Sequence, residues 1–179
     1  MTRHPGDRLL AVLIDWLFMC VWIAVVSAVA VPLFLVGTLV RLPPVAANVV
    51  ASLVLVVPIT VALAVMEAGP RQSTPGKRAR RLVVRDARTG DALPLRRALL
   101  RNALKIALPW TVAHAAVYAI AGGDSVGASA SAGAPAALIA SYVLPVAYLV
   151  TLCLGAGRTP YDRVAGAVVA RVAPAPARV

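Results

Sequence analysis

The chain has 179 residues, 60% of them hydrophobic and only 14% charged, with a mean hydropathy of +0.84 and a formal net charge of +11. A soluble domain carries about a quarter charged residues, so this composition excludes an ordinary water-soluble globule. The basic excess does not indicate nucleic acid either. No aromatic residues interleave the bases, and eleven of the eighteen Lys and Arg fall between Arg71 and Lys105, as in a loop flanking membrane spans.

The first apolar block starts at Leu9 and continues to Val40, interrupted only by Asp15 and Pro32. It exceeds the ~20 residues that a span requires, so a span over about 9–32 is expected, with the chain leaving the membrane near Pro32. Ala28-Val29-Ala30 resembles a processing site, and a cleaved signal peptide is the competing reading; Asp15 and the length of the block argue against it. Arg41-Leu-Pro-Pro44 then breaks the helix. A second span is expected over 45–66, closed by Glu67 and Gly69-Pro70.

Residues 67–102 form the one substantial polar segment. Leu82 to Arg85 reads as a short extended run followed by a turn over Asp86 to Gly90. After Pro94 the pattern becomes helical. Arg97, Arg101 and Lys105 recur every four residues, which predicts an interfacial helix, basic on one face, leading into the membrane. A third span is expected over 103–121, with Pro109, Trp110 and His114. A small, base-free loop around Asp124 follows, then a fourth span over 136–156. The tail from residue 170, rich in Ala and Pro, reads as disordered. Cys20 and Cys153 lie in apolar blocks with no Cys-x-x-Cys spacing, so neither a disulfide framework nor a zinc site is indicated.

Four spans place Arg3, Arg8, the basic loop and the C-terminal arginines on one side, and leave Arg41 alone on the other. By the positive-inside rule both termini are expected in the cytoplasm. The fold class is therefore all-α and membrane-embedded. About four transmembrane helices accompany a basic cytoplasmic loop carrying a short extended turn and an interfacial helix.

Asp15 is the residue that this architecture does not explain. A carboxylate at the centre of a span costs ~2.5–3.5 kcal/mol, less near an interface. With a helix starting near Leu9, Asp15 lies about 9 Å in, at a rise of ~1.5 Å per residue. Arg8, seven residues earlier, shares its face. Their backbone separation of about 10.5 Å is long for a direct pair, so each is expected to serve a polar cluster shared with other helices. Asp162, after the last span, caps a helix starting at Arg163 or joins Arg8 in such a cluster.

Three blocks together resemble a known family. The first is Arg-x-x-Ala-x-x-Ile-Asp, made by Arg8, Ala11, Ile14 and Asp15. The second combines Glu67 with Thr74, Pro75, Gly76 and Lys77, then Val83, Val84, Gly90 and Arg101. The third is Asp162, Arg163, Ala165 and Gly166. In order and spacing they resemble the RDD family of bacterial membrane proteins, named for one arginine and two aspartates. The departures are Arg71-Gln72-Ser73, where Gly-Gln is common before the threonine, and Tyr161, where His is common. The resemblance implies a polytopic bacterial inner-membrane protein with Arg8, Asp15 and Asp162 as signature residues. It implies no single reaction, transport being the usual suggestion.

Thr74-Pro-Gly-Lys77 is not a phosphate loop, because Arg71 and Arg78 stand where that motif needs Gly and Ser or Thr. No metalloprotease, hydrolase or paired-acid pattern appears, so neither an enzyme nor a cofactor is expected. His114 is either a proton relay or a hydrogen-bonding residue between helices. The leading functional expectation is a small transporter or ion-handling protein using Asp15, with Arg8, Glu67 and Asp162 beside it. Such a pathway would call for a homo-oligomer, with Gly155 and Gly157 allowing close helix contact. The alternative is a non-transporting scaffold or accessory subunit binding partner proteins and membrane lipids, with the basic loop against anionic headgroups. The topology is tested by placing a cysteine at Thr89. It should react only with reagents that reach the cytoplasm, and labelling from outside would overturn the assignment.

Overall fold

The computed structural model describes residues 5–38, 42–123, 133–153 and 157–172. Arg3, Arg41, Asp124, Gly155 and the tail beyond Val172 lie outside the described residues, so the readings placed on them are not addressed.

The chain is mostly helical. α1 (Pro5–Leu35) passes straight through Pro32. α2 (Pro44–Ala51), a π segment (Ser52–Val56) and α3 (Val57–Ala68) follow one another without a break. A single turn, α4 (Pro75–Ala79), leads to strand β1 (Leu82–Asp86). α5 (Leu95–Asn102), a second π segment (Ala103–Ala107) and α6 (Leu108–Gly123) again run on continuously. The expected interfacial helix and third span are thus one rod. α7 (Gly133–Cys153), the short α8 (Pro160–Val164) and strand β2 (Ala167–Arg171) complete the chain.

Three of the described helices are long and apolar enough to cross a membrane: Pro5–Leu35, Val45–Ala68 and Pro135–Cys153. α6 has 16 residues and falls short of that length on its own. The three long helices turn most of their side chains outward. In the most apolar stretch of Pro135–Cys153 only 6% of residues are buried within the protein. Exposed Leu, Val, Phe and Trp of this kind on a helical rod are a lipid-facing surface.

A proline stands two residues after each π segment, and each leaves a carbonyl that another helix satisfies. Pro58 has no N–H for the Val54 carbonyl four residues back; the Trp22 indole N–H from α1 donates to that oxygen at 3.2 Å. In the second segment the Leu108 N–H reaches five residues back to Ala103. The donor that would next serve Leu104 in this register is the nitrogen of Pro109, which carries no hydrogen. The Tyr148 hydroxyl from α7 donates to Leu104 instead, at 2.9 Å. Backbone groups away from water need such partners.

The polar segment folds into a cap on one end of the bundle. β1 pairs antiparallel with β2, with Val84 opposite Val169 and Leu82 opposite Arg171. Ala170 and Arg171, expected to begin a disordered tail, are therefore strand residues whose backbone groups are taken up by β1. Val84, Leu93, Ala98, Ala165 and Ala167 form the cap's core against Ala64 of α3. Gly166 joins α8 to β2 with φ of +59°, and a Cβ there would overlap the Arg97 guanidinium. That guanidinium donates to the carbonyls of Ala165 at 2.8 Å and Gly166 at 3.0 Å and pairs with Asp86. At the rim, Asp7 of α1 pairs with Arg80 and, at 3.5 Å, with Arg171 of β2.

Candidate functional site: a ring of buried charges

Where the cap meets the bundle, six charged side chains form one alternating chain. Arg8 pairs with Asp162 at 3.1 Å, and Asp162 with Arg101 at 2.8 Å. Arg101 pairs with Glu67 at 2.6 Å, Glu67 with Lys77 at 2.8 Å, and Lys77 stands 3.6 Å from Asp15. The two ends, Arg8 and Asp15, lie two turns apart on the same face of α1, so the series starts and ends on one helix as an open ring. Three cations and three carboxylates sum to zero. Asp15 and Arg101 are 1% exposed, and Glu67 and Asp162 are fully buried.

The local sequence explains how each member arrives. Pro75 starts α4, and the first-turn N–H groups of a helix have no partners within it. One of them, on Gly76, donates to Asp15 Oδ1 at 2.9 Å, and the Thr74 hydroxyl donates to Oδ2 at 2.6 Å. Asp15 therefore caps α4 from another helix. The approach is close: a Cβ on Gly76 would overlap the Ala11 carbonyl. The spacing Arg8, Ala11, Asp15 now has a physical reading. The two charges enter the ring, and the small residue between them lets α4 lie against α1.

Glu67, near the end of α3, is saturated. Beyond its two ion pairs, Oε2 accepts from the Asn102 amide at 2.8 Å. Asp162 sits in the first turn of α8, where it accepts from the Thr159 backbone N–H at 3.3 Å while pairing with two arginines. The expected helix start at Arg163 is corrected to Pro160, with Thr159 at the N-cap position and Asp162 three residues into the turn, and the cluster expectation is the one the ion pairs bear out. Arg8 also donates to the Gly157 carbonyl. Arg101 lies 5.3 Å above the ring of Tyr161, the residue at the position where His is common. Asn102 had no sequence signal, and Tyr161 stood out only as a departure from the family pattern; their roles depend on where α5 and α8 meet.

The basic face expected to lie along the membrane surface turns inward instead. Arg97 holds the turn after α8, Arg101 is in the ring, and Lys105 faces the space inside it. The cap, packed over this helix, provides carboxylates and carbonyls that a lipid surface would otherwise supply. His114 stays apart from the site, stacked on Trp110 with ring centroids 5.9 Å apart.

Burial pushes the Asp162 carboxyl up, but the guanidiniums of Arg101 and Arg8 outweigh it and hold the group below the usual aspartate range. Burial pushes the Lys77 ammonium down, against the opposing attraction of Glu67. A carboxyl whose folded pKa is depressed contributes stability that is present above its unfolded value and lost as pH falls through the folded one. Melting temperature should therefore hold level from neutral pH and fall below about pH 4, the ordinary aspartate range. Asp162→Asn should be less stable at neutral pH and lose part of that acid dependence. An unchanged acid limb would show that Asp162 is not held by the arginines.

The RDD family model matches residues 2–166, nearly the whole chain and every member of the ring. No curated protein and no solved structure matches the chain. The sequence match, the apolar helices and the union of its arginine and two aspartates in one buried site lead to a single assignment: this membrane-embedded chain belongs to the RDD family.

Proposed function

We propose that the protein is a non-transporting membrane scaffold or accessory subunit, in which the charge ring fastens a cytoplasmic cap to a lipid-embedded bundle. The observation that carries this reading is the state of Asp15. It is 1% exposed, and both its oxygens are bonded to fixed donors of the loop. A carboxylate that loads and releases ions needs access and a partner that can leave. Asp15 instead fixes the start of α4. The positive-inside distribution supports a cytoplasmic cap, and the outward faces of the sheet and of α4 are available for a partner protein.

A second reading, ion handling, draws on a different observation. The side-chain oxygens of Asn48, Ser52 and Thr60 are buried and have no partner among the described residues. The extra residue of the π segment between them offsets the helical phase, so all three fall within about 40° of one face. Such a stripe suits water or a hydrated cation.

The two are separated by flux. Proteoliposomes of the purified protein should show no proton, sodium or potassium movement above empty vesicles. Asp15→Asn should lower stability by about 2–4 kcal/mol, since a charged acceptor is lost and Lys77 keeps its charge. Measurable flux that disappears in a stably folded Asp15→Asn protein would overturn the scaffold reading in favour of ion handling.

A further inference from the structure

The side of α5 that turns away from the ring carries a pattern of its own. Arg96 and Leu100, four residues apart, share that side, while Arg97 and Arg101 point inward. Leu95 is 46% exposed and Leu100 42%, and the row continues to the exposed Leu108 of α6. α8 is tied to α5 by the Arg101–Asp162 pair and repeats the pattern with Arg163 and Val164, the latter 64% exposed. Arg96 and Arg163 are exposed, and neither guanidinium has a partner among the described residues. Among those residues the cap has one exposed carboxylate, Asp91, to set against its exposed arginines.

The ring fixes the depth of this patch. Arg101 and Asp162 lie near the level of Asp15, since all three belong to one run of ion pairs. On α1 the outward residues around Asp15 are Leu13, Trp16 and Leu17, each more than half exposed and suited to lipid. The apolar surface of that helix begins at Leu9, about 9 Å nearer its start at a rise of ~1.5 Å per residue. Arg163 follows Asp162 directly, and Arg96 stands about 7.5 Å from Arg101 along α5 at the same rise, toward the cap. Both arginines therefore fall within the band where α1 already faces lipid. An unpaired guanidinium cannot rest in hydrocarbon, but its aliphatic stem can lie along apolar surface while the charged end reaches the phosphate layer.

We propose that this side of the cap is seated in the headgroup layer of the membrane, where Arg96 and Arg163 bind the phosphates of anionic phospholipids. A guanidinium presents a planar pair of donors that matches phosphate oxygens, and the neighbouring Leu95, Leu100 and Val164 match the acyl chains just below. Lipid answers both halves of the patch, and α5 runs into the lipid-facing surface of α6 without a break. An acidic protein would answer the arginines and leave three exposed apolar side chains at membrane depth. The seat depends on where the cap sits and not on whether the protein moves ions.

Two measurements on the full-length protein test the seat. In native mass spectrometry from mixed micelles, phosphatidylglycerol should be retained about fivefold or more over phosphatidylcholine. Arg96→Gln/Arg163→Gln should bring the two lipids to near parity. Arg85→Gln/Arg88→Gln removes the same charge from the end of β1 and its turn, and should keep the preference. The second measurement uses vesicles of both lipids, with Cys20 and Cys153 changed to Ala. A nitroxide on Val164→Cys should be relaxed more by oxygen than by a water-soluble nickel chelate, and one on Thr89→Cys the reverse. The proposal is overturned if the wild type shows no preference, if Arg96→Gln/Arg163→Gln keeps it, or if Arg85→Gln/Arg88→Gln loses it as fully. It is also overturned if the label at position 164 is as open to the chelate as the label at 89, a result that would favour a partner protein. Should Arg96→Gln/Arg163→Gln not fold, the wild-type preference and the depth of the label at 164 decide the matter, and the absence of either overturns the proposal.

Discussion

Three carboxylates and three cations are withdrawn from water together, and the rest of the structure depends on their being withdrawn as a set. Each ion alone would carry a desolvation penalty of several kcal/mol. Alternation removes most of that penalty, since every carboxylate touches at least one cation and every cation at least one carboxylate. The arrangement also makes the members interdependent. Deleting one leaves its neighbours charged, buried and unmatched, a loss of about 3–5 kcal/mol for a buried pair. Net attraction is therefore a smaller part of the ring's role than specificity. Alternative packings of the bundle would strand a charge.

The ring joins elements that hydrophobic packing alone would leave loosely related. The outward faces of α1, α2–α3 and α7 are uniformly apolar, and lipid satisfies such faces in any rotation. Fixed registers come from polar contacts. Asp15 pins α4 to α1, Arg101 ties α5 to both α3 and α8, and Arg8 brings the segment after α7 back to the first helix. Farther into the bundle the prolines do the same in another way. Pro58 and Pro109 each leave a carbonyl short of a donor, and Trp22 and Tyr148 reach across to supply one. The cap then closes over the charged end, its two-stranded sheet drawing the last described residues onto β1.

Much of this was legible in the sequence. The helical blocks follow from length and hydropathy, and the shared face of Arg8 and Asp15 follows from their spacing. The 10.5 Å estimate ruled against a direct pair and for a shared cluster, as the structure has it. Pairing partners were not legible, because Asp162 and Arg101 are separated by 61 positions and local periodicity carries no information at that range. The strand Ala167–Arg171 was missed for a related reason. Its sequence, Ala-Val-Val-Ala-Arg, has only two strand-forming valines between helix-favouring neighbours and becomes a strand through β1, some 85 positions away. Arg97, Arg101 and Lys105 look equivalent at four-residue spacing, yet the cap gives them three environments: a turn, the ring and the space inside the ring.

The account rests on the claim that the ring's charges act as one coupled unit, and a double-mutant cycle on Glu67 and Arg101 tests it most directly. Unfolding free energies of Glu67→Gln, Arg101→Gln and the double variant are measured in the same detergent. The account predicts that each single change is strongly destabilising and that the double variant recovers about 2 kcal/mol or more of their sum, as contacting buried charges do. Strictly additive effects would contradict it, and would mean that the ring is a set of neighbours and not the constraint that holds the cap to the membrane.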